Sequence, residues 1–160
     1  MAKLQCKGLN EYAASLSKFS KKSEEILRGS VYVGAGVLAD SIKEEMKSLP
    51  TDNHFGTEEE PIKGISKIQK ADLIDSFGIS EIRQDGNYTN AKLGWDGYGR
   101  IKTKKYPKGI PNQLIARSIN IGTSFRQKNP FVDRAVRKSK KDAFKAMQDA
   151  IDKEVKKEMK

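Results

Sequence analysis

Residues Gln113–Val136 read QLIARSINIGTSFRQKNPFVDRAV. An apolar-periodic segment, Leu114–Ile119, has the length of a short helix and runs into Gly122-Thr123. A glycine there supplies the positive φ that ends a helix. Asn129 is then a favoured N-cap and Pro130 a favoured first helical residue. From that point Phe131, Val132, Ala135, Val136, Ala143, Phe144, Met147, Ala150, Ile151, Val155 and Met159 keep helical spacing. The stretch therefore predicts a short helix, a glycine break and a long C-terminal helix from about Pro130.

The same stretch is strongly cationic. No Asp or Glu occurs between Gly97 and Val132, whereas eight Lys or Arg do. The whole chain of 160 residues carries 31 basic and 21 acidic residues, a net charge of +10. Such a balance favours nucleic acid, an acidic protein face or a membrane surface as partner, without choosing among them.

Within the cationic zone, residues 97–111 read as a mobile loop because Gly97, Gly99, Pro107, Gly109 and Pro111 fall inside it. Arg100, Lys102, Lys104, Lys105 and Lys108 alternate there with Tyr98 and Tyr106. These five cations are the candidate contacts to a partner or to DNA. The tyrosines either stack on bases, as on a single-strand-binding surface, or pack on their own domain.

Upstream, Leu9, Tyr12, Ala13, Leu16 and Phe19 mark one helix face. A second helix is predicted from about Ser23, as its N-cap, to Ser48, with Pro50 as the stop. Ile26, Val33, Val37, Ile42, Met46 and Leu49 share its broad face. Gly29, Gly34 and Gly36 each weaken such a helix by roughly 1 kcal/mol relative to alanine. Either another helix packs closely against them or the segment breaks near Gly34. Gly34-Ala35-Gly36-Val37-Leu38-Ala39 also has the spacing of a dinucleotide-binding turn, but only three apolar residues precede it where a buried strand is required.

Residues 51–70 read as a second exposed, mobile loop, containing Glu58, Glu59, Glu60 and the sole histidine, His54. Ala71–Phe77 is predicted as a turn of helix entering a strand. Phe77, Ile79 and Ile82 begin that strand, Asp85-Gly86 signals a hairpin, and Ala91, Leu93 and Trp95 alternate on the return. The expected architecture is a single α+β domain over 1–160. Its N-terminal helices and C-terminal helix pack on a small antiparallel sheet centred on Phe77–Asp96.

Chemistry is constrained by what is scarce. One histidine and one cysteine, Cys6, give no zinc set and no intrachain disulfide. His54 has no Ser, Cys or Asp motif beside it and reads as a surface residue. Nucleophile–base constellations are not recognisable, so no enzyme activity, cofactor or metal is expected. No apolar run approaches the ~20 residues of a membrane span, and no signal-peptide core opens the chain.

Three stretches in order resemble the tail-completion, or head–tail joining, family of minor structural proteins of long-tailed double-stranded DNA phages and prophages. Ala71-Asp72-Leu73-Ile74-Asp75-Ser76-Phe77 is similar to that family's G-x-L-x-x-S-I entry to a sheet. Leu114–Thr123 is similar to its Y-A-x-x-x-E-x-G-T segment, with Asn120 or Ile121 where the acid stands. Asn129-Pro130-Phe131-Val132-Asp133-Arg134-Ala135 is similar to its P-F-L-x-P-A helix start, without the second proline. The likeness spans roughly residues 9–157.

The resemblance implies a non-enzymatic neck protein that completes or joins the tail at the head–tail interface as a ring. The implied partners are further copies of the chain, the connector, and tail-tube or tail-terminator proteins. Double-stranded DNA would pass through without sequence-specific binding, and no membrane is involved. The implied location is the virion neck, with the host cytoplasm during assembly. The charge pattern alone leaves a basic nucleic-acid-binding module as the alternative.

Overall fold

Helix α1 (Leu9–Ser48) runs without a break through the region where two helices were expected. In this computed structural model the described residues are 9–86 and 88–158. Cys6, Met159 and the side chains of Leu9, Tyr12 and Ala13 lie outside what is described. Ser23 does not start a helix; its hydroxyl donates back to the Ser20 carbonyl within the turn (2.7 Å). Pro50 does end the helix, which has closed at Ser48.

The unbroken α1 is explained by its partner. Helix α4 (Phe131–Glu158) lies antiparallel along it, tied at one end by Lys22–Glu158 (2.7 Å) and at the other by Arg134–Glu45 (3.0 Å). Small buried residues meet between them: Ser30, Gly34 and Ser41 from α1, and Ala135, Ser139 and Ala143 from α4. A Cβ on Gly34 would stand 2.5 Å from Met147 Cγ, so glycine admits the neighbouring helix. Gly29 and Gly36 face open space and contribute nothing of the kind. Of the two outcomes open for this segment, close packing holds, and it rests on Gly34 alone. The dinucleotide-like spacing falls in the middle of α1, with no strand before it.

Helix α2 (Lys67–Ser76) begins earlier than expected because the Ser66 hydroxyl accepts the Gln69 N–H (3.2 Å). It passes directly into β1 (Phe77–Ile79). The hairpin then divides into two antiparallel ladders rather than one sheet: β1 with β4 (Leu93–Trp95), and β2 (Arg83–Asp85) with β3 (Tyr88–Asn90). The break lies at Ser80, whose Oγ accepts the Lys92 N–H (2.9 Å) in place of a backbone carbonyl. In the inner ladder Phe77 pairs with Trp95 and Ile79 with Leu93. The expected α+β class is observed, with the helices forming the bulk of the fold and the strands a small hairpin upon it.

Residues 51–66 are less exposed than expected. Ile65 is buried in the core, and its N–H donates to the Pro50 carbonyl (3.1 Å) while its carbonyl accepts from Asp52 (2.8 Å). Ile62 is bridged to Arg126. Residues 67–70 are helical, so only the outer part of the expected loop, including Glu58–Glu60, stands in solvent.

Helix α3 (Asn112–Ile121) ends at Gly122, which takes φ +86° and whose N–H donates to the Ser118 carbonyl (3.0 Å). The expected positive φ is present. The capping of α4 is not as expected. Asn129 Oδ1 is buried without a hydrogen-bond partner, and α4 begins at Phe131. The Asn120 side chain, one turn away in α3, accepts the Val132 N–H instead (3.1 Å). This satisfies an amide that has no partner inside its own helix. Asn120→Ala is therefore expected to destabilise the protein by about 1 kcal/mol, the usual cost of a lost cap. Denaturant unfolding and amide exchange at Val132 check this, and no change in either would remove the cap assignment.

Candidate partner-binding surface

The candidate cations sit on residues 97–111, between β4 and α3. This segment is irregular, as expected, but it is closed by its own backbone. Gly99 N–H donates to Ile110 O (2.8 Å), Ile110 N–H to Ile101 O (3.1 Å), and Asn112 N–H to Gly97 O (3.1 Å). At the tip, Thr103 and Tyr106 exchange hydrogen bonds of 3.1 and 3.0 Å. Gly109 adopts φ +113° with its Cα facing the Gly99 carbonyl, where any Cβ would collide. Only glycine meets both demands.

A buried carboxylate fixes the base of the loop. Asp72, on α2, is 8% exposed. Its Oδ2 accepts the Arg100 backbone N–H (2.8 Å) and its Oδ1 accepts Arg100 Nε (2.6 Å). Two N–H donors thus converge on one carboxylate, a charge-assisted arrangement about twice as strong as neutral hydrogen bonds. Arg100 therefore differs from the other four candidates: part of its guanidinium holds the loop in place. Lys102, Lys104, Lys105 and Lys108 are all exposed, and among the described residues none forms an ion pair. Lys105 Nζ lies 5.7 Å from the Tyr106 ring centroid. Tyr98 is exposed and Tyr106 half-buried.

The loop is a hydrogen-bonded platform carrying four ammonium groups unpaired among the described residues and one exposed aromatic ring. It can meet phosphates or carboxylates without first paying the entropy of ordering a long segment. Sequence reasoning passed over Asp72. No local pattern marks it, because both of its hydrogen bonds go to Arg100, far along the chain.

A second surface is apolar. Val136 and Phe144 on α4 are exposed beside a groove of about 340 Å³ shared with Val31 and Leu38 of α1 and Leu93 of β4. Leu27, Tyr32 and Val33 continue the exposed apolar side chains along α1. The periodicity of α4 assigned Val136 and Phe144 to the same face as Phe131. In the fold they are only partly covered by the described residues, Val136 remaining 38% and Phe144 59% exposed.

His54 is exposed, and its Nδ1 lies 2.9 Å from Asp52 Oδ1. Asp52 Oδ1 also accepts the His54 backbone N–H (2.9 Å), and these two bonds, the backbone one first, hold the carboxyl below its ordinary pKa. Among the described residues no three His, Cys, Asp or Glu side chains gather as a metal site, and no helix is long and apolar enough to cross a membrane. Compared with protein-family models, curated proteins and solved structures, the chain matches none.

Proposed function

We propose that the chain is a non-enzymatic subunit of a phage neck, joining or completing the tail at the head–tail interface and assembled there as a ring. One observation carries this reading. The three stretches that resemble the family meet in a single core: Leu73 and Phe77 from the first, Ile115, Ala116 and Ile119 from the second, and Phe131 and Ala135 from the third. The likeness thus lies in positions that set the fold. A ring subunit also needs uncovered side-to-side surface, and the Val136–Phe144 strip supplies an apolar one.

In this reading the partners are further copies of the chain, the connector and the tail-tube or tail-terminator protein. DNA passes through without sequence-specific contact. The test is reconstitution: purified protein added to tails lacking their completion protein restores joining to heads. A chain that co-sediments with neither tails nor connectors would defeat the reading.

The four exposed lysines of the loop, together with the exposed Tyr98 ring, favour one alternative, a nucleic-acid-binding module. If those lysines each neutralise one phosphate, log affinity falls with log salt at a slope of about −3 to −4. No binding to DNA or RNA at low salt disposes of that alternative.

A further inference from the structure

A cleft of about 470 Å³ lies between residues 52–66, the end of α3 and the basic loop, and one cation in its wall has no counter-ion. Arg126 belongs to a tight turn in which Thr123 and Arg126 exchange backbone hydrogen bonds of 2.9 and 3.2 Å. Ile62 N–H donates to Phe125 O (3.1 Å), and Gln127 N–H donates to Ile62 O (2.9 Å), so the backbone around Arg126 is fixed from both sides. Its guanidinium Nη1 is buried and meets no acceptor. Among the described residues no carboxylate pairs with it. Burial holds its pKa below the ordinary value for arginine. An arginine stays protonated regardless, so an anion reaching the guanidinium from the cleft offsets this desolvation.

The remaining wall indicates which anion. Asp52 is the acid of the cleft, and its Oδ1 is occupied by the two His54 contacts. Phe55 and Phe125 line the cleft and yet are 97% and 52% exposed, so two phenyl rings flank its opening. Ile101 and Ile110 from the basic loop add apolar surface, and Lys102 follows Ile101 directly. Polar side chains, among them Asn53, Gln69 and Thr103, complete the lining. One guanidinium beside this apolar surface suits a planar carboxylate carried on an apolar group. A phosphodiester chain, hydrated and charged at every unit, gains little from such walls.

We propose that this cleft takes an acidic–apolar protein segment, with a carboxylate on Arg126 and an adjacent apolar side chain between Phe55 and Phe125. The proposal gives chemistry to a protein partner and stands without the neck reading. Failure to join tails would leave the cleft intact, and loss of the cleft would leave the ring and the lysine loop as they are.

The test is NMR titration of the full chain, following Arg126 Nε–Hε and the Phe125 amide, with phenylacetate, acetate and inorganic phosphate at constant ionic strength. Phenylacetate is expected to saturate with a Kd on the order of millimolar, as its few heavy atoms allow. Acetate should bind about fivefold or more weakly, having no group for the phenyl rings. Arg126→Gln should weaken phenylacetate by about tenfold or more. Phe55→Ala, at an exposed position that leaves the fold alone, should weaken phenylacetate and not acetate. Non-saturating shifts in the wild-type chain, or saturation that leaves the Arg126 Nε signal unmoved, overturn the ionic half. An unchanged phenylacetate Kd in Phe55→Ala overturns the apolar half. Phosphate binding more tightly than phenylacetate overturns the choice of carboxylate.

Discussion

Phe131→Ala is expected to destabilise the protein by about 3–5 kcal/mol, the largest effect of any single substitution considered. Phe131 is fully buried in the first turn of α4. Its ring meets Trp95 edge-on, with centroids 5.8 Å apart, and Trp95 in turn lies 5.1 Å from Phe77. Trp95 Nε1 donates to Met46 Sδ (3.4 Å), which brings α1 into the same cluster. Phe131 thus packs on the tryptophan at which both long helices and the hairpin meet. Alanine there leaves a cavity that three separate elements would have to move to fill. Domain stability is typically only about 5–15 kcal/mol, so a large share would go. The melting temperature should fall by roughly 6–20 °C for a chain of this size. Phe144→Ala is the control: the same substitution in the same helix, at an exposed position, should move stability by no more than about 0.5 kcal/mol. Equal losses in the two variants would mean that the core is not where the structure puts it.

Asp72→Ala should act on the loop before it acts on the core. The substitution removes the acceptor for the Arg100 backbone N–H and for Arg100 Nε. The expected loss is about 2–3 kcal/mol, most of it from the hydrogen bonds to a charged acceptor. The side chain of Arg100 is 64% exposed, so solvent screens its share and the ion pair as such adds little. Asp72→Asn, which keeps one acceptor oxygen, should fall between wild type and alanine. Amide exchange discriminates further. The Gly99 and Ile110 amides close the loop, and both should exchange faster in Asp72→Ala while the Ile115 and Ile119 amides of α3 change little. Unaltered exchange at Gly99 and Ile110 would show that the backbone ladder holds the loop without Asp72. If the lysines of this loop are the partner contact, Asp72→Ala also weakens partner binding without removing a single lysine.

These two residues divide along what can be read from a sequence. Phe131 was placed on the apolar face of α4 by spacing alone, and Asn129-Pro130 put the helix start within a residue or so of where it lies. Asp72 could not be assigned a role, because its partner is 28 positions away. The same holds for Arg126. It was one of eight cations in an acid-free zone, and only its burial and its missing acceptor set it apart.

The opening stretch shows the same division within a few residues. Gly122 has the positive φ its position demanded, since that requirement comes from the chain's own backbone geometry. Asn129 looked like the cap of α4, and Asn120 is the cap, since a helix amide donates to the nearest available oxygen in space whatever its place in sequence. Helix α1 runs through three glycines because α4 lies against one of them. Phe144, on the same period as Phe131, stays 59% exposed because the described elements beside it leave an open groove there. By itself the sequence determined the α+β class, the hairpin, the long C-terminal helix, the stop at Pro50 and the cationic character of residues 97–111. Those follow from turn chemistry, periodicity and charge, which act over a few residues. Tertiary structure alone decided which apolar faces are buried, which carboxylate anchors the loop and which arginine has a buried nitrogen without an acceptor. Those depend on contacts between elements far apart in the chain, whose geometry no local pattern encodes.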